Sequence, residues 1–148
     1  TVSTDLHDWD GLNPHHKAFA LRADLVFLST AALGERRDDI MRAIISEGRA
    51  QAVIAMAGAD GAYLLERGSD HVRHFACAQL DLPVVDTNGA GDSFVAAFLH
   101  AWLDGAGIDA AMRRGAIGGA FACAQHGTHE RFIGSAELHD LYQDGTSL

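Results

Sequence analysis

Asp86-Thr87-Asn88-Gly89-Ala90-Gly91-Asp92 decides how the rest of this chain is read. The apolar run Leu82 to Val85 leads into it and the helix-like run Phe94 to Leu103 leaves it, so the two glycines fall where a strand is expected to turn into a helix. Gly89 and Gly91 carry no Cβ, which lets the backbone bend sharply and approach a ligand closely. The first N–H groups of the following helix have no intrahelical acceptor, and the helix dipole adds positive potential at the same end. The stretch is therefore expected to hold an anion, a phosphate above all.

Asp92 adds chemistry to that cradle. A carboxylate would repel a bound anion, and its presence is explained if it takes a proton. Beside a transferring phosphoryl group it orients an attacking hydroxyl and accepts its proton, while backbone amides stabilise the developing charge. The plainer alternative is an Asp that caps the helix, with glycines that serve only the turn.

Together with Ser93 and Phe94, the stretch resembles the C-terminal signature of the ribokinase (PfkB) family of carbohydrate kinases. The resemblance implies a three-layer αβα sandwich with a mostly parallel, ribokinase-like sheet. It also implies transfer of the γ-phosphate of ATP, with Mg²⁺, to a hydroxyl of a sugar or nucleoside-like alcohol. Asp92 takes the place of the family's base, and the amides of Gly89, Ala90 and Gly91 that of its anion hole. Asp86 and Asn88 match positions that border a monovalent-cation (K⁺) site in some members. Gly58-Ala59-Asp60-Gly61 corresponds to the family's nucleotide loop, with Met56 where the family often has Thr; read alone, the same glycines suit any hairpin turn. Ala122, Gln125 and Gly127 match positions that border the adenine, and Asp5 matches an Asp that ends a strand near the active cleft.

One departure stands out. The family usually follows the strand found here at Ala23 to Leu28 with an Asn-x-x-Glu motif linked to metal and phosphate handling. This chain has Ser29-Thr30-Ala31-Ala32, and the Ala32 methyl cannot bind a metal. That departure supports the alternative of a non-catalytic nucleotide-binding remnant or regulatory module of the same fold. A P-loop enzyme is excluded, because no Gly-x-x-x-x-Gly-Lys-Ser/Thr occurs.

The remaining sequence reads as alternating strands and helices, which argues for an α/β class with buried parallel strands. Helices are expected at His15 to Arg22, Glu35 to Glu47, Ser93 to Leu103, Asp109 to Gln125 and Ser135 to Tyr142, the last capped by Ser135. Strands are expected at Ala23 to Leu28, Gln51 to Met56, Ala62 to Leu65 and His71 to Phe75, and Asp144 to Leu148 reads as a frayed tail. Asp109 to Gln125 is rich in glycine and alanine, so it admits either a close-packed neighbour, expected to be the sheet, or a flat ring.

At 148 residues, 48% hydrophobic and 21% charged, the chain is expected to form a single α/β domain over residues 1 to 148. A net charge of −9, with no basic run longer than a pair, argues against a nucleic-acid partner. Cys77 and Cys123 have no metal-ligand spacing and read as buried thiols, and the nine histidines match no ligand pattern. No apolar run reaches bilayer length, so the expectation is a cytoplasmic protein with no membrane partner. The chain opens at Thr1 on what reads as the end of a strand. Family members carry about half their length before this point, including most sugar-binding residues. The resemblance thus leaves the identity of the sugar outside this sequence, and for the full-length protein it suggests a homodimer.

Overall fold

The structure is a computed structural model that describes residues 1 to 128 and 131 to 144. His129, and the expected tail beyond Asp144, lie outside the described residues. The contacts divide the chain into two compact units. The first comprises Thr1–Ala57 and Ala62–His74, and the second Gly58–Gly61 with the chain from Phe75 onward.

The strands β1 (Ser3–Asp5), β2 (Leu25–Ser29), β3 (Ala52–Met56), β4 (Ala62–Glu66) and β5 (Arg73–Phe75) form one mixed sheet in sequence order. β1 and β2 pair in parallel with Thr4 opposite Val26, and β2 and β3 in parallel with Phe27 opposite Ile54. β3 and β4 are antiparallel, with Ile54 opposite Leu64, so the Gly58 turn does close a hairpin. Leu25 to Leu28 and Ala52 to Ala55 are all buried, which explains why these stretches read as continuous apolar runs rather than alternating ones.

Two helices belong to the first unit. α1 (Pro14–Ala20) begins where the Asn13 side chain accepts the His15 N–H at 2.9 Å, with Pro14 at the first helical position. α2 (Arg37–Glu47) follows a short 3₁₀ turn at Gly34–Arg36 and ends at Gly48. Met41 and Ile44 of α2 join Val26, Leu28, Val53 and Leu65 of the sheet in one core with Leu6 and Trp9. Arg67 holds the lower end of this core by donating to the carbonyls of Ile45, Gly48 and Ala50 at 2.6–2.8 Å.

The second unit is helical: α3 (Ala90–Leu103), α4 (Ile108–Cys123) and α5 (Ser135–Gln143). The close neighbour of the α4 glycine stripe is the helix α3, where a sheet was expected. A Cβ at Gly118 would stand 2.6 Å from the Cβ of Ala97 and 2.8 Å from the Ser93 carbonyl, and one at Gly115 would meet the Phe94 ring at 3.0 Å. Small residues are required there because the two backbones approach that closely, which leaves no room at Gly115 or Gly118 for a ligand ring.

Two local expectations are corrected. Leu82 to Val85 forms no strand. Val84 is 76% exposed, and the N–H groups of Val85 and Asp86 turn instead to the Cys123 carbonyl, at 2.7 and 3.1 Å. α5 is capped by Gly134, with Ser135 as its first helical residue and no side-chain cap bond, because the hydroxyl stands one position too late to reach the free N–H groups.

Candidate active site

The signature folds as a turn into α3. Gly89 is the residue before the helix and holds the left-handed conformation, φ 77°, which an L side chain rarely adopts. Its Cα also faces Thr128, whose Cγ2 would lie 3.2 Å from an added Cβ, so the backbone demands glycine and the space beside it is tight. The Gly89 carbonyl accepts the Ser93 N–H at 3.0 Å, which is the first bond of the helix. The Ala90 N–H turns back to the Thr87 carbonyl in a long 3.3 Å bond. Gly91 and Asp92 therefore carry the first-turn N–H groups that receive no acceptor from the helix, at its positive end. Asp92 sits in this first turn with its side chain exposed.

Asp86 is tied down from two sides. Its Oδ1 accepts the Asn88 N–H at 2.9 Å, and its Oδ2 accepts the Gly127 N–H at 3.2 Å, across 41 residues. The turn into α3 and the segment leaving α4 thus share one carboxylate. Gln125 belongs to that segment, and its N–H closes a turn on the carbonyl of Ala122, in the last turn of α4, at 3.1 Å. Each oxygen of Asp86 accepts one N–H and keeps a further acceptor site, which is compatible with the cation role proposed for Asp86 and Asn88.

The second glycine turn belongs to the same unit. Gly58 and Gly61 both have positive φ, 59° and 89°, with Ala59 and Asp60 exposed between them. Gly61 lies against the backbone of Phe75 to Cys77, where an added Cβ would fall 2.1 Å from the Phe75 carbonyl oxygen. Cys77 and Cys123 are free and half-buried rather than fully buried. The Cys123 thiol is pushed above its ordinary pKa by burial and, secondarily, by Cys77 and Asp86. Two segments flagged by sequence, Gly58–Gly61 and Ala122 to Gly127, are thus brought into one compact unit with the Asp86 stretch.

The remaining sites lie in the first unit. Asp5 ends β1, and its Oδ1 accepts the His7 N–H at 2.9 Å. His7 is the one non-glycine residue with positive φ, 48°, among the described residues. Asp5, His7, Asp8, His16 and Phe19 line an open pocket of about 480 Å³ beside β1. Of these, the sequence pointed only to Asp5. Nothing in the spacing of the histidines marks His7 or His16, which come together through the loop and α1. At the end of β2, the Ser29 hydroxyl accepts the Ala31 N–H at 3.1 Å, and Ala32 has no donor atom, so this edge supplies no carboxylate for Mg²⁺. No helix among the described residues is long and apolar enough to cross a membrane.

The model of the pfkB family carbohydrate kinases matches residues 16–132. The acarbose 7(IV)-phosphotransferase of an Actinoplanes strain is 46% identical over 93% of this chain and 46% of its own length. The fructoselysine 6-kinase of Shigella flexneri is 33% identical over 80% of this chain and 41% of its own length. A solved microbiome-derived acarbose kinase superposes with a TM-score of 0.90 at 46% identity, covering 95% of this chain and 47% of its own. Ribokinase from Thermotoga maritima shares the fold, with a TM-score of 0.71 at 19% identity over 90% of this chain and 46% of its own. The chain thus spans a little under half the length of these relatives, 41% to 47%. It has a ribokinase-like α/β fold and belongs to the pfkB family of carbohydrate kinases.

Proposed function

We propose that this chain supplies the nucleotide-binding and base-carrying part of a kinase that moves the γ-phosphate of ATP to a hydroxyl of a sugar or sugar-like alcohol. The observation that carries the reading is the start of α3, where a left-handed Gly89 precedes two first-turn N–H groups and an exposed Asp92. In this reading Asp92 accepts the proton of the attacking hydroxyl. The amides of Gly89, Ala90 and Gly91 stabilise charge on the transferring group, the Ala90 N–H exchanging its long bond to Thr87 for the phosphoryl oxygen. Gly58 to Gly61 and the segment from Ala122 through Gln125 to Gly127 hold the nucleotide. Mg²⁺, when bound, neutralises phosphate charge; with Ala32 at the end of β2, the phosphates themselves are its natural ligands. The likeness to acarbose-phosphorylating relatives favours a glycoside as the acceptor. Such a kinase would work in the cytoplasm, and a homodimer is the proposed assembly at full length.

A second reading, a nucleotide-binding module without turnover, is favoured by one observation: the absence of a carboxylate at Ala32. Both readings require nucleotide binding, which calorimetry on this chain tests. Binding of ATP in the millimolar range or tighter is expected, and a folded sample that gives no heat at millimolar ATP contradicts both.

A further inference from the structure

We infer that Asp86 is a positioning residue that couples the segment leaving α4 to the phosphate-facing turn before α3, so that the two bind their parts of a nucleotide cooperatively. The inference rests on the nucleotide reading above and goes beyond it. Three connections carry it. Oδ2 of Asp86 accepts the Gly127 N–H at 3.2 Å while Oδ1 fixes the Asn88 N–H at 2.9 Å, so one rigid carboxylate joins two segments far apart in sequence. The Cys123 carbonyl at the end of α4 accepts both the Val85 and the Asp86 N–H, which holds the stem of the turn to the same helix end. Gly89, the residue that sets the entry into α3, packs on Thr128, one position beyond Gly127.

A displacement of the 123 to 128 segment therefore cannot leave the turn untouched. If a base settles against Ala122 to Gly127 and orders that segment, the carboxylate transmits the order to Asn88 and Gly89, and the first-turn amides are held ready for phosphate. The coupling is reciprocal by thermodynamic necessity, so an anion at the turn must equally favour the base. Asn at position 86 would keep an acceptor for Asn88 but turn an amide N–H₂ group toward the Gly127 N–H, opening one half of the strut.

The test separates the nucleotide into its parts. The affinity of this chain for tripolyphosphate is measured by calorimetry with and without saturating adenosine, in K⁺-free buffer, for the wild-type chain and for Asp86→Asn. The expected result is that adenosine raises the wild-type tripolyphosphate affinity by about 5-fold or more, and that the factor falls to near one in Asp86→Asn. A residue with a merely structural role would weaken both ligands and leave the factor intact, and that result overturns the inference. So does coupling that appears only when K⁺ is added, which would return Asp86 to a cation role. If both ligands bind the wild-type chain without coupling, the inference fails and the nucleotide reading stands; if neither binds, both fail. Hydrogen exchange at the Gly127 amide gives a readout that needs no variant. Tripolyphosphate is expected to slow it several-fold, and unchanged exchange in the saturated chain overturns the coupling.

Discussion

Gly118 sets the distance between α3 and α4. With Ala97 Cβ and the Ser93 carbonyl 2.6 and 2.8 Å from the point where a Cβ would stand, even a methyl group must push the helices apart. Gly118→Ala is therefore expected to lower stability by about 1–3 kcal/mol, although alanine is the better helix former by about 1 kcal/mol in an exposed position. Urea unfolding of the two chains checks the sign, and a stabilised variant would show that the helices have slack. The sequence announced that α4 could be approached closely, but not by what. A stripe of small residues looks the same whether a helix, a sheet or a ring lies against it, and only the bulk of Phe94 and Ala97 opposite, on another helix, settles which. Gly89 was more legible, because a glycine just before a helix with an acidic first turn suits a left-handed residue at an anion-facing helix start.

Asp24 links elements. It stands before β2, where its carboxylate accepts the Val2 N–H at 2.7 Å and pairs with Arg49 at 2.8 Å, and its carbonyl accepts the Gln51 N–H at 2.7 Å. These bonds fasten the starts of three neighbouring strands. The Val2 N–H, and then Arg49, hold the Asp24 carboxyl below its usual value of 3.8. A lowered carboxyl pKa favours the folded state above the ordinary carboxylate range, and this contribution is lost as pH falls through the lowered value. Asp24→Asn should therefore be less stable than the wild-type chain near neutrality, and the gap should close as pH falls below the ordinary carboxylate range and through the lowered value. Unfolding midpoints across pH 2 to 7, on the order of one unit apart, would show it, and a gap independent of pH would refute the assignment. Among elements, strands β2 and β3 and helix α2 were legible from apolar runs and helical spacing. Leu82 to Val85 was not, because an apolar run states that burial is favourable without naming a partner strand; here its backbone finds the end of α4 instead of a ladder.

For the whole molecule, a net charge of −9 means that any nucleotide is held by local backbone amides against the overall field. The signature made the family legible, since its spacing encodes a turn, a helix start and an acid together, and the alternation of strands and helices along the rest of the chain made the fold class legible. The pocket beside β1, with His7 and His16, was illegible because its members are joined by a loop whose path no periodicity reveals. The central claim is that Asp92 is a base; as the third residue of α3, behind Gly89 at the cap position, it is not the helix cap, and the plainer alternative is an acid that only complements the positive helix end. It is tested most directly by turnover of Asp92→Asn in a polypeptide of the relatives' full length that includes this chain, with ATP and a glycoside acceptor. The base reading predicts a fall in kcat of at least about 100-fold, with nucleotide affinity unchanged or improved and stability little altered. Asn keeps the size of the side chain but cannot take the proton, so an Asn variant with normal turnover would contradict it.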